Sequence, residues 1–234
     1  MKSASRVWIA FLVVMWAAPS PAFAKGEVWG MGGFFNLHQP LRGFGDWYSK
    51  SPQVGVALTY AGSSRAAVEI EYHRSTQDHG SLEKRTFVWS EDNRPYVSPN
   101  ARSRIALNAV TVNGLLFARP RPVETHARGS TPYMAVGAGL YKYVSSVSGL
   151  YWPGQKKALT LLLDPFKDRR VSLGFFLGAG AEMFISGRVS LDLRARYHVA
   201  LGNLRPMEAW GLKETFPLQM IDAGAGIKLY FKGE

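Results

Sequence analysis

Between Arg188 and Leu201 apolar and polar residues alternate almost without a break. Val189, Leu191, Leu193, Ala195, Tyr197, Val199 and Leu201 fall on one parity, and Arg188, Ser190, Asp192, Arg194, Arg196, His198 and Ala200 on the other. Successive side chains of a β-strand point to opposite faces, so this segment predicts a strand with one apolar and one ionic face. Val171 to Ile185 repeats the split, with Val171, Leu173, Phe175, Leu177, Ala179, Ala181, Met183 and Ile185 opposing Ser172, Gly174, Phe176, Gly178, Gly180, Glu182 and Phe184. Met134 to Tyr143 sets Met134, Val136 and Leu140 against Gly137, Gly139, Tyr141 and Tyr143, and Ile221 to Phe231 sets Ile221, Ile227, Leu229 and Phe231 against Asp222, Gly224, Gly226 and Lys228. Glycine recurs on the polar face, where a small, strongly curved barrel needs room for backbone bending and bulky interior side chains.

Four further strands complete the pattern. Gln53 to Tyr60 and Arg65 to His73 flank the Gly62-Ser63-Ser64 turn, with Val54, Val56, Leu58, Val68, Ile70 and Tyr72 outward and Glu69, Glu71 and His73 inward. Val28 to Leu37 places Trp29, Met31, Phe35 and Leu37 on one side. Arg104 to Phe117 is less regular, because Asn108 and Asn113 fall on opposite parities, and a β-bulge is the expected remedy. The sum is an all-β fold: a transmembrane, antiparallel, up-and-down β-barrel of about eight strands, each near the ~9–11 residues a tilted membrane strand requires. Residues 74 to 103, 145 to 170 and 202 to 217 read as long external loops, and Gly62 to Ser64 and Ser186-Gly187 as short periplasmic turns. Arg119 to Thr131 is long for such a turn, but its parity makes it one. Both termini are then expected in the periplasm.

The N-terminus changes the picture from a barrel to an exported one. Lys2 and Arg6 precede the apolar run Val7 to Ala18 and the small-residue site Ala22-Phe23-Ala24, the three parts of a cleavable signal. Residues 1–24 are therefore expected to be removed, leaving 25–234 as one barrel domain. The run is too short to span a bilayer as a helix, which takes roughly 20 residues, and no longer one follows. Cysteine is absent, so neither a lipoprotein anchor nor a disulfide framework is expected. Loss of Lys2 and Arg6 lowers the formal charge from +11 to +9, a basic balance that suits anionic lipid; export argues against nucleic acid.

The runs NGLLFARP at Asn113 to Pro120, PYMAVGAGLYKY at Pro132 to Tyr143 and LGFFLGAGAEMFISGRVSLDLRARYH at Leu173 to His198 resemble the eight-stranded outer-membrane barrels of the OmpA/OmpX type. The last strand, AGAGIKLYF, is similar to the C-terminal signal read by the barrel-insertion machinery, with Gly226, Leu229 and Phe231 in the corresponding positions. The resemblance implies an integral outer-membrane protein, monomeric and delivered by periplasmic chaperones. It says little about activity, since such folds host structural, adhesive and small-channel members.

The candidate chemistry lies on the inward parity. Glu69, Glu71, Glu182, Asp192 and Asp222 oppose Arg188, Arg194, Arg196 and Lys228, with His73 and His198 beside them. An eight-stranded barrel is only wide enough for side chains, so these groups are expected to pair into a plug. A second set, Arg74, Arg102, Arg104, Lys156, Lys157, Arg169 and Arg170, with Lys167, gathers toward the loop ends, where it would face lipopolysaccharide phosphates. His73-Arg74-Ser75 with Glu83 has the residue types of a hydrolase triad, yet parity turns His73 and Ser75 inward, away from any lipid substrate. No metal spacing accompanies His79 or His126, and no cofactor is expected. The expected function is non-enzymatic, in envelope integrity or through loop contacts (adhesion or lipopolysaccharide). A narrow channel is the alternative and lipid A modification a lesser one.

Overall fold

The computed structural model describes residues 28–79, 86–88, 95–97, 100–121, 129–150, 166–204 and 216–232. The expected signal segment, His126, Glu83, Lys156 and Lys157 lie outside them. Eight strands close into an all-antiparallel barrel: β1 (Val28–Leu41), β2 (Ser51–Ala61), β3 (Ala66–His79), β6 (Asn100–Phe117), β7 (Gly129–Leu150), β8 (Phe166–Phe184), β9 (Val189–Ala200) and β10 (Leu218–Lys232). Each pairs with its neighbour in sequence, and β1 pairs with both β2 and β10, so the sheet closes without an edge. The helix α1 (Arg42–Trp47) joins β1 to β2. A two-stranded hairpin of β4 (Thr86–Val88) and β5 (Pro95–Val97) lies between β3 and β6.

The alternation read from the sequence is the alternation of the wall. Outward positions such as Met31, Val56, Ile70, Val112, Leu140 and Ile227 are 51–59% exposed, forming an apolar outer belt. At the short-turn end the belt is bounded by one cross-strand row, Tyr60, Trp29 and Phe231 on β2, β1 and β10, with Trp29 and Tyr60 ring centroids 4.9 Å apart. Tyr72 and Tyr197 mark its other margin, their hydroxyls donating to Asn108 Oδ1 (2.9 Å) and Gln219 Oε1 (2.6 Å). Aromatic girdles at both edges of an apolar band are what a barrel in a bilayer presents.

Three expectations are corrected. Strand β6 carries no bulge: its register runs unbroken from Asn100 to Phe117 against β7 and from Ser103 to Leu116 against β3. Asn113 therefore faces inward and Asn108 faces outward, where the Tyr72 hydroxyl satisfies it. The loop set at 74 to 103 is shorter, because β3 continues to His79 and β6 begins at Asn100. The same holds for 145 to 170, since β7 runs to Leu150 and β8 starts at Phe166.

The two tight turns share a device. Ser63 Oγ accepts from the backbone N–H of Ala66 (2.9 Å), and Ser186 Oγ accepts from that of Val189 (3.1 Å). Each serine thereby supplies a local side-chain bond that fixes its turn. Glycine on the inward face answers steric demand, most sharply at Gly139, where a Cβ would lie 2.1 Å from the Val110 carbonyl oxygen.

The belt makes a quantitative prediction. Val112→Arg, in mid-belt, is expected to destabilise the barrel by about 2–4 kcal/mol in urea unfolding from lipid vesicles. Loss of no more than a few tenths would mean that the outer face is not in hydrocarbon.

Candidate functional site

The interior is organised around charges from opposite walls. In the closed order β1-β10-β9-β8-β7-β6-β3-β2, strands β9 and β3 stand four places apart, the greatest separation that eight strands allow. Arg194 and Arg196 project inward from β9, and Glu69 and Glu71 from β3. They meet across the bore: Arg194 Nη1 and Arg196 Nη2 each lie 2.7 Å from Glu71 Oε2, and each lies 3.6 Å from Glu69 Oε1. Lys228 of β10 completes the layer, its Nζ 2.8 Å from Glu69 Oε2 and 3.0 Å from Asp192 Oδ2. Asp192 also takes a hydrogen bond from Arg194 and one from the Tyr133 hydroxyl at 2.7 Å.

Three carboxylates thus balance three cations in a layer sealed from solvent. Neutral groups complete the shell. Thr59 Oγ1 (3.1 Å) and Asn113 Nδ2 (3.4 Å) donate to Glu69, and the Arg194 guanidinium lies 3.3 Å from the centroid of the Phe34 ring. Arg196 stacks similarly on Phe176 at 4.9 Å. Burial in the bore lowers the local dielectric, which strengthens each pair and raises the penalty for leaving any member alone.

Further groups flank this layer. Toward the loop end, His198 Nε2 lies 3.0 Å from Asp222 Oδ2 and its Nδ1 2.8 Å from the Tyr141 hydroxyl, while His73 Nδ1 lies 3.3 Å from Glu71. Toward the short turns, Glu182 accepts from Ser190 Oγ at 2.6 Å and from the Tyr230 hydroxyl. Arg121 folds back there. Its backbone N–H donates to Ser64 O (3.0 Å), its Nη2 donates to Ser63 O (3.1 Å), and its guanidinium lies 4.5 Å from the Phe117 ring centroid.

The structure thus gathers Glu69, Glu71, His73, Glu182, Asp192, Arg194, Arg196, His198, Asp222 and Lys228 in the interior. Arg188 does not join them. It sits exposed in the turn between β8 and β9, where the strand has ended and parity no longer governs direction. Arg121 takes part without having been expected, because a return of the chain over a turn leaves no periodic signal. Ser75 is inward, but among the described residues its Oγ has no hydrogen-bond partner, His73 included.

The rim residues divide. Arg74 on β3, Arg102 and Arg104 on β6, and Arg169 on β8 point outward, joined by Lys142 on β7 and Lys167 on β8. Arg170 instead faces the barrel mouth, with Nε 2.8 Å from Asp168 Oδ2 and Nη1 2.6 Å from Asn203 Oδ1. The outward strand positions Gln39, Leu41, Pro52 and Gln219 on the opposite wall are uncharged, and the exposed Arg42 and Lys50 sit in the connection from β1 to β2, so the outward-facing strand cations lie on the side formed by β3, β6, β7 and β8. That side is also the taller, since β6, β7 and β8 have 18, 22 and 19 residues against 11 and 12 for β2 and β9. Of the residues resembling an insertion signal, Leu229 and Phe231 face outward and Gly226 is buried.

Glu71→Ala removes the acceptor shared by two guanidiniums and is expected to cost about 3–5 kcal/mol in denaturant unfolding from micelles. Thr59→Val, which removes one bond to a charged group, is expected to cost less, about 1.5–3 kcal/mol. Equal losses at the two positions would contradict a cluster centred on Glu71.

Comparison with known proteins fits this geometry. No curated protein matches the sequence. Among solved structures, Neisserial surface protein A is similar over 88% of this chain and all of its own, at 14% identity and a TM-score of 0.51, which supports the fold. The attachment invasion locus protein Ail of Yersinia pestis, solved with the heparin analogue sucrose octasulfate, is 12% identical over 89% of this chain and all of its own, with a TM-score of 0.47. OprG of Pseudomonas aeruginosa is 15% identical over 87% of this chain and 96% of its own, with a TM-score of 0.43. The sequence profile of the outer membrane protein β-barrel domain matches residues 9–212, and with the closed eight-stranded wall this makes the chain a member of that outer-membrane family, as its OmpA/OmpX-type pattern implied.

Proposed function

We propose that the protein is a non-enzymatic, non-conducting barrel that acts at its loop-end rim, stabilising the envelope through contact with lipopolysaccharide. The observation that carries this reading is the ion cluster across the bore. Glu71 of β3 holds Arg194 and Arg196 of the facing wall, all of them buried, so a solute on the axis would have to break several charge pairs at once. With the interior filled, the surface able to meet partners is the rim. There the cations of β3, β6, β7 and β8 stand above the apolar belt, at the height where guanidinium and ammonium groups can pair with lipid phosphates. The short turns and both chain ends face the periplasm, following the loop-length rule for such barrels. Gly226, Leu229 and Phe231 serve the insertion machinery, with periplasmic chaperones holding the chain before it, and the barrel works as a monomer.

Planar-bilayer recording tests the interior. The wild-type barrel is expected to give no steady conductance, whereas Glu71→Ala combined with Arg194→Ala and Arg196→Ala is expected to give discrete steps. Steady wild-type conductance would make the protein a channel and overturn the reading. Orientation has its own measurement: an epitope appended after Glu234 is expected to be hidden from antibody on intact cells and reached once the outer membrane is permeabilised.

A further inference from the structure

Among the described residues, the wall is stepped where β8 rises past β9. β8 pairs with β7 along its whole upper stretch, with Asp168 opposite Ser145, Arg170 opposite Tyr143 and Ser172 opposite Tyr141. On its other side the ladder stops where Gly174 meets Ala200, the last residue of β9. One more bond, Leu201 N–H to Leu173 O at 2.7 Å, follows, and the chain then turns away through Gly202 to Leu204. Beside the β8 edge this leaves a notch of about 630 Å³. Its size lies within the ~300–1,000 Å³ span of small-molecule sites.

The notch has a fixed polar floor. The Tyr143 hydroxyl donates to Asn203 O at 2.9 Å and accepts from Ser172 Oγ at 3.5 Å. Gly202 packs closely there: a Cβ would lie 2.4 Å from Ser172 Oγ and 2.5 Å from Tyr143 Oη and would displace those hydroxyls. Arg170 is clamped by Asp168 through Nε and by Asn203 through Nη1. A guanidinium carries five N–H groups in a rigid fork, so about three remain for a ligand in an orientation already set. Arg169, next along the strand, is exposed on the outer side of the same edge. Around it the outward margin is apolar: Val171, Leu201 and Phe216 are 60%, 49% and 59% exposed.

We infer that this notch is a specific seat for a phosphate-bearing lipid, whose headgroup lies between Arg169 and Arg170 while its acyl chains descend over Val171 and Leu201. The inference rests on the rim reading above and narrows it to one position. A free anion would use only the two guanidiniums, whereas an amphiphile uses the apolar margin as well. The net charge of the notch residues, two arginines against Asp168, is positive, and the clamp by Asp168 and Asn203 lowers the entropy that Arg170 would lose on binding.

Native mass spectrometry of the full delipidated barrel, titrated in micelles with lipid A, with its dephosphorylated form and with inorganic phosphate, tests this. Wild type is expected to bind one lipid A in preference to the dephosphorylated form, with millimolar inorganic phosphate failing to displace it. Arg170→Gln and Gly202→Val are each expected to weaken binding about fivefold or more. Arg170→Lys, which keeps charge and loses the fork, should fall between. Heat-modifiable migration on gels confirms that each variant is folded. If Arg74→Gln and Arg102→Gln weaken binding as much as Arg170→Gln does, attraction is spread along the rim: the notch is overturned and the broader rim function stands. Displacement by inorganic phosphate overturns the lipid seat in favour of an anion site. Absence of phosphate-dependent binding by wild type overturns both.

Discussion

The meeting of Glu71 with Arg194 and Arg196 across the full width of the bore is the contact on which the remaining interior depends. Removing an ion from water costs several kcal/mol, and only close opposite charge with further hydrogen bonds offsets it. The barrel meets that requirement by drawing partners from strands that never touch through their backbones. The pairing also defines register: a slip of one residue in β9 would carry Asp192, Arg194 and Arg196 to the lipid side and Leu191 and Leu193 into the charged layer. The arrangement is therefore as much a specification of the wall as a filling of its interior.

The wall itself is uneven, and the unevenness organises the outer surface. Strands β6, β7 and β8 rise well beyond the apolar belt, and the outward-facing strand cations described above are carried on these three and on β3. The opposite wall ends lower. The notch beside β8 is where a long strand adjoins a short one, so the difference in strand length, the position of the cations and the break in the ladder are one feature seen from three sides.

Much of this was legible in the residues, for definite reasons. Period-two alternation survives wherever one face meets lipid and the other meets charge, as in Val189 to Leu201, so inward and outward groups could be sorted before any partner was known. The rule fails where that contrast fades. It extended one residue too far at Arg188, which belongs to a turn, and stopped too early on β7 and β8, whose upper parts have polar groups on both faces. Asn108 looked like an irregularity because parity cannot see a neighbouring strand; the Tyr72 hydroxyl that satisfies it comes from β3. The identity of ion partners was not legible either. It depends on the number and stagger of strands, which bring β3 opposite β9, and Arg121 reaches the interior through a chain reversal that no periodicity records.

The cross-bore cluster also bears on how the sheet becomes a cylinder. Glu69 and Glu71 lie in the first third of the chain, while Arg194, Arg196 and Lys228 lie in the last. A growing sheet that has not yet joined β1 to β10 carries its unmatched acids near one flank and its unmatched bases near the other. Asp192 can pair with Arg194 and Lys228 on its own flank, but Glu69 and Glu71 meet their cations only across the closed bore, so their attraction favours joining the two flanks. Charge separated along the chain thus acts as a latch for circular assembly, adding the Glu69 and Glu71 pairs when the ring is finished.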